Sequence, residues 1–247
     1  MLAEERFGII IDTVNKEKSV TVHQLMCLLD ASESTIRRDL HTLDSEGKLT
    51  KVHGGAIALD GMFNSVDEEV RVREELNTEE KEKIAVYAAS LIKDNEFVYV
   101  DAGTTTERII NHISANNTVF VTNAWGHAKQ LSARGYTTYI LGGEVKPDTE
   151  AIVGTDALAT LAKYNFTKGF FGANGISLDN GFTTPDIKEG AVKQLALSKC
   201  KERYVVADNS KFSQVSPVTF AGYRDAVIIT NLAVQGQYKR TKNIVEV

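Results

Sequence analysis

Apolar residues recur at helical spacing through the first 45 positions of the chain. Thr21 and Ser32 each stand just before such a stripe, where a hydroxyl can cap the first turn of a helix. The stripes consist of Phe7, Ile10, Ile11 and Val14, then of Val22, Leu25, Met26, Leu28 and Leu29, and then of Ile36, Leu40 and Leu43. They predict three consecutive helices, the first beginning at Ala3, with a short turn between the second and the third.

The face of the third helix opposite its apolar stripe carries a set of polar side chains. Ser34 and Thr35 offer hydroxyl groups at the start of the helix, and Arg37 and Arg38 follow with two guanidinium groups. Such groups can bond phosphate oxygens and the acceptor edge of guanine in a DNA major groove. An ordinary amphipathic helix with a solvated basic face would show the same pattern, so it is the tight turn before it that favours a helix-turn-helix motif.

The segment after the third helix predicts a small hairpin. Gly47 can end the helix in a left-handed conformation. Residues Leu49–Val52 and Ala56–Leu59 can then pair as two short strands around the turn at residues 53–55. Three helices followed by a hairpin are typical of a winged helix, which is a DNA-binding fold.

Residues 60–80 form an acidic connector with eight Asp or Glu residues and two arginines. Such a stretch is either a solvated linker or an amphipathic helix that packs Val66, Val70 and Leu76 against a neighbour. We favour an extended linker that leads into a helix from Thr78, with Thr78 as the cap.

Short apolar runs alternate with amphipathic segments from residue 96 onward. The runs are Phe97–Val100, Val119–Val121, Thr138–Leu141, Gly169–Phe171, Tyr204–Ala207 and Val227–Ile229. Helical patterns at Arg108–Ile113, Ala128–Arg134, Ala157–Tyr164 and Ile187–Ser198 separate most of them. Strands that are buried on both faces and alternate with helices predict a doubly wound, mainly parallel sheet, so the expected class is α/β.

Small, polar or glycine-containing loops follow the predicted strands. Ligands of doubly wound sheets bind beyond the carboxyl ends of the strands, which is where these loops lie. The candidate ligand-binding residues in them are Asp101, Gly103, Thr104, Thr105, Thr106, Thr122, Asn123, Gly142, Gly143, Asn174, Gly175, Asp208 and Lys211.

The first of these loops, residues 101–106, has the composition of an anion site. Gly103 lets backbone N–H groups approach a ligand, three threonines add hydroxyl donors, and a helix begins at once. Lys211 is a candidate second cation for the same anion, and Asp101 and Asp208 can accept hydrogen bonds from sugar hydroxyls. A surface lysine and aspartates that cap turns would look the same in the sequence.

Composition narrows the function without identifying it. The 247 residues, of which 43% are hydrophobic, are typical of a globular protein with two domains, and the formal net charge is −5. No apolar run reaches the roughly 20 residues that span a bilayer, and the N-terminus lacks a signal-peptide pattern, so we expect a cytoplasmic protein. Cys27, Cys200 and the five histidines lack metal-ligand spacing, so we expect no metal, cofactor or disulfide framework.

Charge in the first 58 residues gives little help to DNA binding, because seven Lys or Arg face nine Asp or Glu. A basic footprint must therefore be local, supplied by Arg37, Arg38, Lys48 and Lys51, and binding by one protomer is expected to be modest. The sequence thus favours a homodimer or homotetramer that presents two recognition helices to two half-sites.

The run SESTIRRDLHTLDSEGKLTKVHGGA, which begins at Ser32, resembles the N-terminal signature of the DeoR family of bacterial transcriptional regulators. The resemblance implies operator binding, with the third helix at the DNA and Lys51 or His53 near the backbone. The acid Asp39 stands beside two arginines. For it we expect an orienting salt bridge to Arg37, to Arg38 or to the wing.

The motifs DAGTTT, VTNA, LGG, GANGI, GFTTPD and ADNSKF are similar, in order, to those of the DeoR effector domain. This resemblance implies a fold like that of ribose-5-phosphate isomerase and a phosphorylated sugar as ligand, with Thr183 and Thr184 of GFTTPD at the site. The likeness to repressors of fructose operons implies fructose 1-phosphate as the inducer. Lactose and tagatose repressors share much of the pattern, which leaves tagatose 6-phosphate as an alternative.

A sugar-phosphate isomerase is the competing prediction, because the implied fold is shared with an enzyme. Isomerisation needs a base over the carbon acid, and Asn174 stands in the loop where an acid would be expected. An amide cannot take the proton, although Asp179, Asp186 and Glu189 are near in sequence. The DNA-binding segment decides for a regulator rather than an enzyme.

The predicted organisation has three parts. Residues 1–58 form the winged helix-turn-helix domain, residues 59–76 a linker, and residues 77–247 the effector-binding and oligomerisation domain. The expected function is a repressor that a phosphorylated sugar releases from operator DNA.

Overall fold

The structure, a computed structural model, describes residues 3–17, 19–52, 54–58, 76–231, 238 and 241–247. The chain divides into two compact units, residues 1–63 with 233–242 and residues 64–232 with 243–247. Most of the acidic connector, residues 59–75, lies outside the described residues, and so does His53. The domain boundaries given above therefore stay predictions.

Three helices form at the predicted places in the described part of the N-terminal unit. They are α1 (Ala3–Glu17), α2 (Val22–Leu29) and α3 (Glu33–Ser45). Thr21 Oγ1 accepts from Gln24 N at 3.1 Å and Thr21 N donates to Gln24 Oε1 at 2.8 Å, so these two residues cap α2 reciprocally. Ser32 Oγ accepts from Thr35 N at 3.3 Å and caps α3. The three apolar stripes meet in one buried core.

A small antiparallel sheet completes what is described of this unit. Strands β2 (Thr50–Val52) and β3 (Gly55–Ile57) form the predicted hairpin, and β1 (Ser19–Thr21) pairs with the free side of β3. Strand β1 was not predicted, because three residues that end on a helix cap are too few for their alternation to indicate a strand. Glycine is required at position 55, since a Cβ there would lie 2.0 Å from Val20 O.

Asp39 is buried and pairs with Arg6 of α1, so the expectation of a bridge to Arg37, Arg38 or the wing is wrong. Arg6 Nε donates to Oδ2 of the carboxylate, and Nη2 donates to Oδ1 at 3.0 Å. The reason is helical phase, because Asp39 lies on the core side of α3 beside Leu40 and Leu43. This two-point bond holds α3 against α1 and leaves the opposite face of α3 to solvent.

A seven-stranded parallel sheet forms the centre of the C-terminal unit within the described ranges, which confirms the α/β class. In sheet order its strands are β15 (Ile244–Glu246), β14 (Val227–Thr230), β12 (Cys200–Val206), β9 (Phe166–Phe171), β4 (Phe97–Val100), β5 (Val119–Thr122) and β6 (Thr137–Ile140). The chain runs outward from β4 through β5 and β6 and then returns to the other side of β4 as β9. The carboxyl ends of β4 and β9 thus flank the switch point, the usual ligand position in such sheets.

Helices of the C-terminal unit cover the sheet. They are α4 (Thr78–Ser90), α5 (Thr104–His112), α6 (Trp125–Ala133), α7 (Thr155–Leu161) and α8 (Ile187–Ser198). Val98 and Val100 pack in a core with α4 and α5, and Tyr99 between them faces the other side, 5.5 Å from the Phe171 ring. Both faces of the sheet are therefore buried, as its apolar strands predict. No helix in the described ranges is long and apolar enough to cross a membrane.

The predicted cap of α4 is wrong. The helix begins at Thr78 as expected, but Asn77 holds the cap position with a left-handed backbone (φ 51°) and makes no side-chain capping bond. Its side-chain amide donates instead to Asp208 Oδ1 at 3.1 Å.

Two further small sheets lie in the same unit. Strands β7 (Glu144–Val145) and β8 (Ile152–Val153) pair as a hairpin, and β10 (Gly175–Ser177), β11 (Gly181–Thr184) and β13 (Val218–Ala221) form an antiparallel sheet. None was predicted, because strands of two to four residues with glycines carry little pattern.

Candidate functional sites

The exposed face of α3 carries the side chains that were predicted to contact DNA. Ser34, Arg37 and Arg38 are exposed, whereas Thr35 is half-buried with its hydroxyl 2.9 Å from Ser32 Oγ. Arg37 Nε donates to Glu33 Oε1 at 2.7 Å in an exposed i, i+4 pair. Arg38 forms no ion pair with any described residue, so its guanidinium is the more available of the two.

The wing offers one further cation. Lys51 is exposed on β2, and its backbone N donates to Asp44 Oδ1 at 2.9 Å, which ties the strand to the end of α3. His53, the other predicted wing contact, lies outside the described residues. The arrangement of α3 and β2 can therefore present several donors on one surface of the N-terminal unit.

A cavity of about 300 Å³ lies at the switch point of the C-terminal sheet. The residues that follow β4, β9 and β12 meet there, together with the start of α4. It is lined by Leu76, Asn77, Lys81, Ala102, Gly103, Thr104, Thr105, Gly172, Ala173, Asn174, Glu189, Lys193, Val206, Ala207, Asp208, Ser210 and Lys211. Of the predicted ligand residues, the structure brings Gly103, Thr104, Thr105, Asn174, Asp208 and Lys211 to this cavity.

One end of the cavity is equipped for an anion. Gly103 occupies the cap position of α5, so the free N–H groups of the first turn open next to Thr104 and Thr105. Lys81 of α4 donates through Nζ to Thr104 Oγ1 at 3.1 Å, and Lys211 lines the same cavity. Two ammonium groups, two hydroxyls and a helix N-terminus thus line the same cavity.

Asp101 lies beneath this end in a buried ion pair with Lys193 of α8. The carboxylate is fully buried, and its Oδ2 accepts from Lys193 Nζ and from Gly172 N, the latter at 3.1 Å. Burial raises the pKa of the Asp101 carboxyl, and the Lys193 ammonium and the Gly172 N–H oppose that rise. Asp101 does not line the cavity, and the bonds of its Oδ2 hold β4, β9 and α8 together. Its Oδ1 is buried without a hydrogen-bond partner among the described residues, and a contact with a sugar hydroxyl stays a prediction.

Glu189 is a second buried carboxylate, and it does line the cavity. Its Oε1 accepts from Lys146 Nζ at 2.8 Å and from Thr149 Oγ1 at 2.7 Å. Burial alone would raise the pKa of the Glu189 carboxyl, but the nearby Lys193 and Lys146 ammonium groups and the Thr149 hydroxyl hold it below its ordinary value. Glu189 is therefore ionised at neutral pH and offers the cavity an acceptor.

Asp208 joins the end of β12 to the start of α4. Its Oδ1 accepts from Asn77 Nδ2 at 3.1 Å, and also from the backbone N and the hydroxyl of Ser210. Asn174 lies across the cavity and accepts from Thr184 Oγ1 at 3.3 Å through its amide oxygen. Thr184 thus reaches the site only through Asn174.

Three residues that were predicted to bind the ligand make hydrogen bonds within the protein instead. Thr106 Oγ1 donates to Asp101 O at 2.6 Å, and Thr122 Oγ1 accepts from Ala124 N at 3.1 Å. Asn123 Oδ1 accepts from Tyr99 Oη and from Ala102 N, both at 3.0 Å. Thr106, Thr122 and Asn123 are buried and do not line the cavity, so they shape the loop before α5 from behind.

Four other predicted ligand positions belong to the small sheets. Gly142 and Gly143 lie beside the hairpin β7–β8, where a Cβ on Gly143 would come within 2.4 Å of Val153 O. Gly175 of β10 pairs with Thr183 of β11, whose hydroxyl accepts from Ser216 N at 2.9 Å. Ladder pairing or close packing thus accounts for Gly143, Gly175 and Thr183, whereas a Cβ on Gly142 would meet nothing within 4 Å. None of the four lines the large cavity.

Several polar lining residues were not predicted to bind the ligand, namely Asn77, Lys81, Lys193 and Glu189, which was considered only as an acid of the competing enzyme prediction. For two of these residues the sequence did contain a signal. Glu189 and Lys193 are four positions apart and fall on the same face of α8 as the buried Val192 and Ala196. Opposite charges on the apolar stripe of a helix mark a buried polar site. The described residues contain no group of three or more His, Cys, Asp or Glu that could hold a metal ion.

A helix-turn-helix unit combined with a sheet unit that holds a polar cavity at its switch point defines a DNA-binding regulator with a sensor domain. Residues 6–61 match the DeoR-like helix-turn-helix domain, and residues 76–231 match the DeoR C-terminal sensor domain. The chain therefore belongs to the DeoR family of transcriptional regulators. This membership confirms the predicted resemblance and the prediction of a regulator rather than an enzyme.

Two full-length relatives illustrate the range of the family. The chain is 43% identical over 231 residues to FruR of Bacillus subtilis, an uncharacterized HTH-type transcriptional regulator, covering 93% of this chain and 91% of that one. It is 30% identical over 251 residues to the lactose phosphotransferase system repressor of Staphylococcus aureus, covering 100% and 99%. Among solved structures, it is similar to ribose 5-phosphate isomerase A from Methanocaldococcus jannaschii, with 14% identity, a TM-score of 0.42 and 55% of each chain covered.

Replacing Lys193 by Met should lower the free energy of unfolding, because the Asp101 carboxylate would stay buried without its cation. Removing one partner of a buried pair costs about 3–5 kcal/mol. The pKa of Asp101 would rise further, so the folded state would hold this proton more tightly than the unfolded state does. The loss relative to the wild type should therefore grow as the pH rises from about 5 to about 8.

Urea unfolding of the full chain at both pH values measures this loss. Lys188→Met is the matched control, because the partner of Lys188 is the exposed Glu144, and exposed pairs contribute about 0–1 kcal/mol. Equal losses in the two variants, or a loss that does not grow with pH, would contradict the assignment.

Proposed function

We propose that this chain represses a sugar-utilisation operon and that a phosphorylated sugar releases it from operator DNA. The observation that carries the proposal is that Lys81, Lys211 and the α5 N-terminus line one cavity, with Lys81 bonded to Thr104 at that N-terminus, because this set of donors suits a phosphate dianion. The acceptors Glu189 and Asp208 line the same cavity and suit the hydroxyls of a sugar.

Fructose 1-phosphate is the first candidate effector. It follows from the likeness to repressors of fructose operons and agrees with the 43% identity to FruR. The 30% identity to the lactose phosphotransferase system repressor keeps tagatose 6-phosphate as the alternative. Both ligands present one phosphate and several hydroxyls, so the same cavity can be tested with both.

On the DNA side, we assign base contacts to Arg38 and Arg37 and supporting contacts to Ser34, Thr35 and Lys51. One recognition helix per chain reads one half-site, so we propose that a homodimer or homotetramer binds the operator. His53 stays a predicted backbone contact.

Arg38→Ala should weaken specific operator binding by about 1–3 kcal/mol, the value of one guanidinium fork on a base pair. Arg37→Ala should weaken operator binding less, because the Arg37 guanidinium already pairs with Glu33 in the free protein. Fluorescence anisotropy with the upstream DNA of the gene, and with a scrambled duplex, separates specific from general binding.

Arg224→Ala removes an exposed arginine from the C-terminal unit and is the control for this pair. Specific binding by Arg38→Ala that equals the wild type would exclude α3 as the reading helix.

Titration of the wild-type operator complex with fructose 1-phosphate, tagatose 6-phosphate and inorganic phosphate tests the function itself. We expect one sugar phosphate to release the DNA. Lys211→Met should require about 10- to 100-fold more of it, since a charge-assisted bond to phosphate is lost, while its operator affinity stays unchanged.

Lys199→Met, half-buried in the same unit but outside the cavity, is the control for Lys211. If no sugar phosphate releases the wild-type complex, the proposal fails. If Lys211→Met responds like the wild type, the position assigned to the phosphate is wrong.

The start of α4 both lines the cavity and follows the connector, so we propose that it transmits ligand binding toward the DNA-binding unit. Leu76, Asn77 and Lys81 line the cavity, and the connector to the DNA-binding unit ends directly before them. Asn77 is bonded to Asp208 and Lys81 to Thr104, so a phosphate at Thr104 changes the surroundings of both. We propose that ligand binding acts on the connector through these two residues.

Asn77→Gly should reduce the coupling between ligand and operator by about two- to tenfold, the equivalent of one hydrogen bond. Glycine keeps the left-handed backbone and removes only the amide. Operator affinity without ligand should stay close to the wild-type value. The coupling factor is the ratio of the operator affinities measured without ligand and with saturating ligand, so a change in ligand affinity at this cavity-lining position does not enter it.

Asn95→Gly is the matched control, because Asn95 is also left-handed (φ 61°), is exposed and lies outside the cavity. A coupling factor in Asn77→Gly that matches both the control and the wild type would rule out this route.

A further inference from the structure

A second, smaller cavity of about 60 Å³ adjoins the first one. The two share Ala102, Gly103, Thr104 and Glu189, so they meet across the loop that begins α5. The remaining lining of the small cavity comes from α5, from the start of α6 and from the segment between β7 and β8, and consists of Glu107, Ala124, Gly126, His127, Thr149 and Glu150. The Glu107 carboxylate accepts a hydrogen bond from Gln130 Nε2. A water molecule takes about 30 Å³ in the liquid, so the small cavity has room for about two groups of that size.

His127 is the group in this lining that points to a ligand. Its side chain is buried (5% exposed), and its Nδ1 has no hydrogen-bond partner among the described residues. Hydrogen bonding to the Gly103 backbone opposes the effect of burial on the pKa of this ring, and because Nδ1 has no partner we assign the N–H to Nε2. Burial lowers the pKa of His127 to about 4, so the imidazole is neutral and Nδ1 carries a lone pair. A buried acceptor without a donor is costly unless something fills that place.

Glu189 supplies a second acceptor between the two cavities. Both hydrogen bonds that its side chain accepts from described residues, from Lys146 and Thr149, end on Oε1. Oε2 is therefore left for a donor, and Glu189 lines the large and the small cavity alike. A group that reaches this region from the large cavity would meet two acceptors, and hydroxyl groups are donors of the right size.

We propose that the small cavity is the sugar-end subsite of the effector and that His127 and Glu189 bind hydroxyls at the end of the sugar remote from its phosphate. This inference rests on the proposed function, because it takes the phosphate to lie at Thr104 and Lys211. His127 Nδ1 and Glu189 Oε2 each accept from one hydroxyl, and Gly103 and Thr104 form the boundary between the phosphate end and the sugar end. His127 is thus a specificity-determining residue. A ligand that lacks the hydroxyl would leave a buried acceptor unpaired, which is the strongest basis for rejection by a polar site.

Calorimetric titration of the full chain tests this assignment with four probes: fructose 1-phosphate, tagatose 6-phosphate, glycerol 1-phosphate and inorganic phosphate. The wild type should prefer one of the sugar phosphates over inorganic phosphate. In His127→Leu that preference should fall by about tenfold or more, because an accepting nitrogen is replaced by a methyl group. The affinity for inorganic phosphate should change by less than about twofold, since the anion end is untouched.

His127→Asn is the rescue variant, because its amide oxygen can take the place of Nδ1 in a side chain of the same length as Leu. It should retain more of the preference than His127→Leu does. His112→Leu changes a histidine of the same unit that lies outside both cavities and pairs with Glu82, and it should bind all four probes like the wild type.

A second measurement needs no variant and therefore does not depend on how well a substituted chain folds. Deoxy analogues of the preferred sugar phosphate are titrated into the wild type, and loss of at least one hydroxyl remote from the phosphate should cost about tenfold in affinity. If every deoxy analogue binds like its parent, or if His127→Leu keeps the full preference, the sugar-end subsite is wrong while the proposed function stands. If the wild type prefers no sugar phosphate over inorganic phosphate, the proposed function itself has failed.

Discussion

The ion pair between Asp101 and Lys193 holds together the end of the sheet on which the sensor depends. It joins the last residues of β4 to α8, and the backbone of Gly172 brings β9 into the same bonds through its N–H and its carbonyl. Two charges buried at this depth must stay paired, so none of the three elements can shift alone without leaving a charge uncompensated. The large cavity therefore has a fixed floor. Two further ammonium groups, those of Lys81 and Lys211, also line this cavity.

Much of this arrangement can be read from the sequence, and the reason is local. The three N-terminal helices have periodic apolar stripes and side-chain caps at Thr21 and Ser32, and both caps form as predicted. The sheet strands are continuous apolar runs that need burial on two faces. The loop from Gly103 to Thr105 combines glycine, hydroxyls and a helix start, which is the composition of an anion site.

The sequence does not contain the strand order, and this limits how well the site could be predicted. Every strand-end loop was expected at the ligand; the loops after β4, β9 and β12 line the large cavity, and part of the loop after β5 lines the small one. Asn123 follows β5, one strand further out, lines neither cavity and braces the neighbouring loop. Asp39 shows the same limit in the N-terminal unit, because its partner Arg6 is 33 residues away and no local pattern connects them. Long-range partners of buried charges depend on packing, which periodicity does not encode.

The position of α4 has a consequence for the exchange of domains between regulators. Leu76, Asn77 and Lys81 are among the first described residues after the connector, and they are also part of the cavity wall. A chimaeric regulator joined after Lys81 would carry the other parent's side chains into the ligand site and would acquire a hybrid specificity. A joint placed before Leu76 would transfer the wall intact. In such proteins the domain boundary is better placed before the first residue that lines the ligand cavity than at a position within α4.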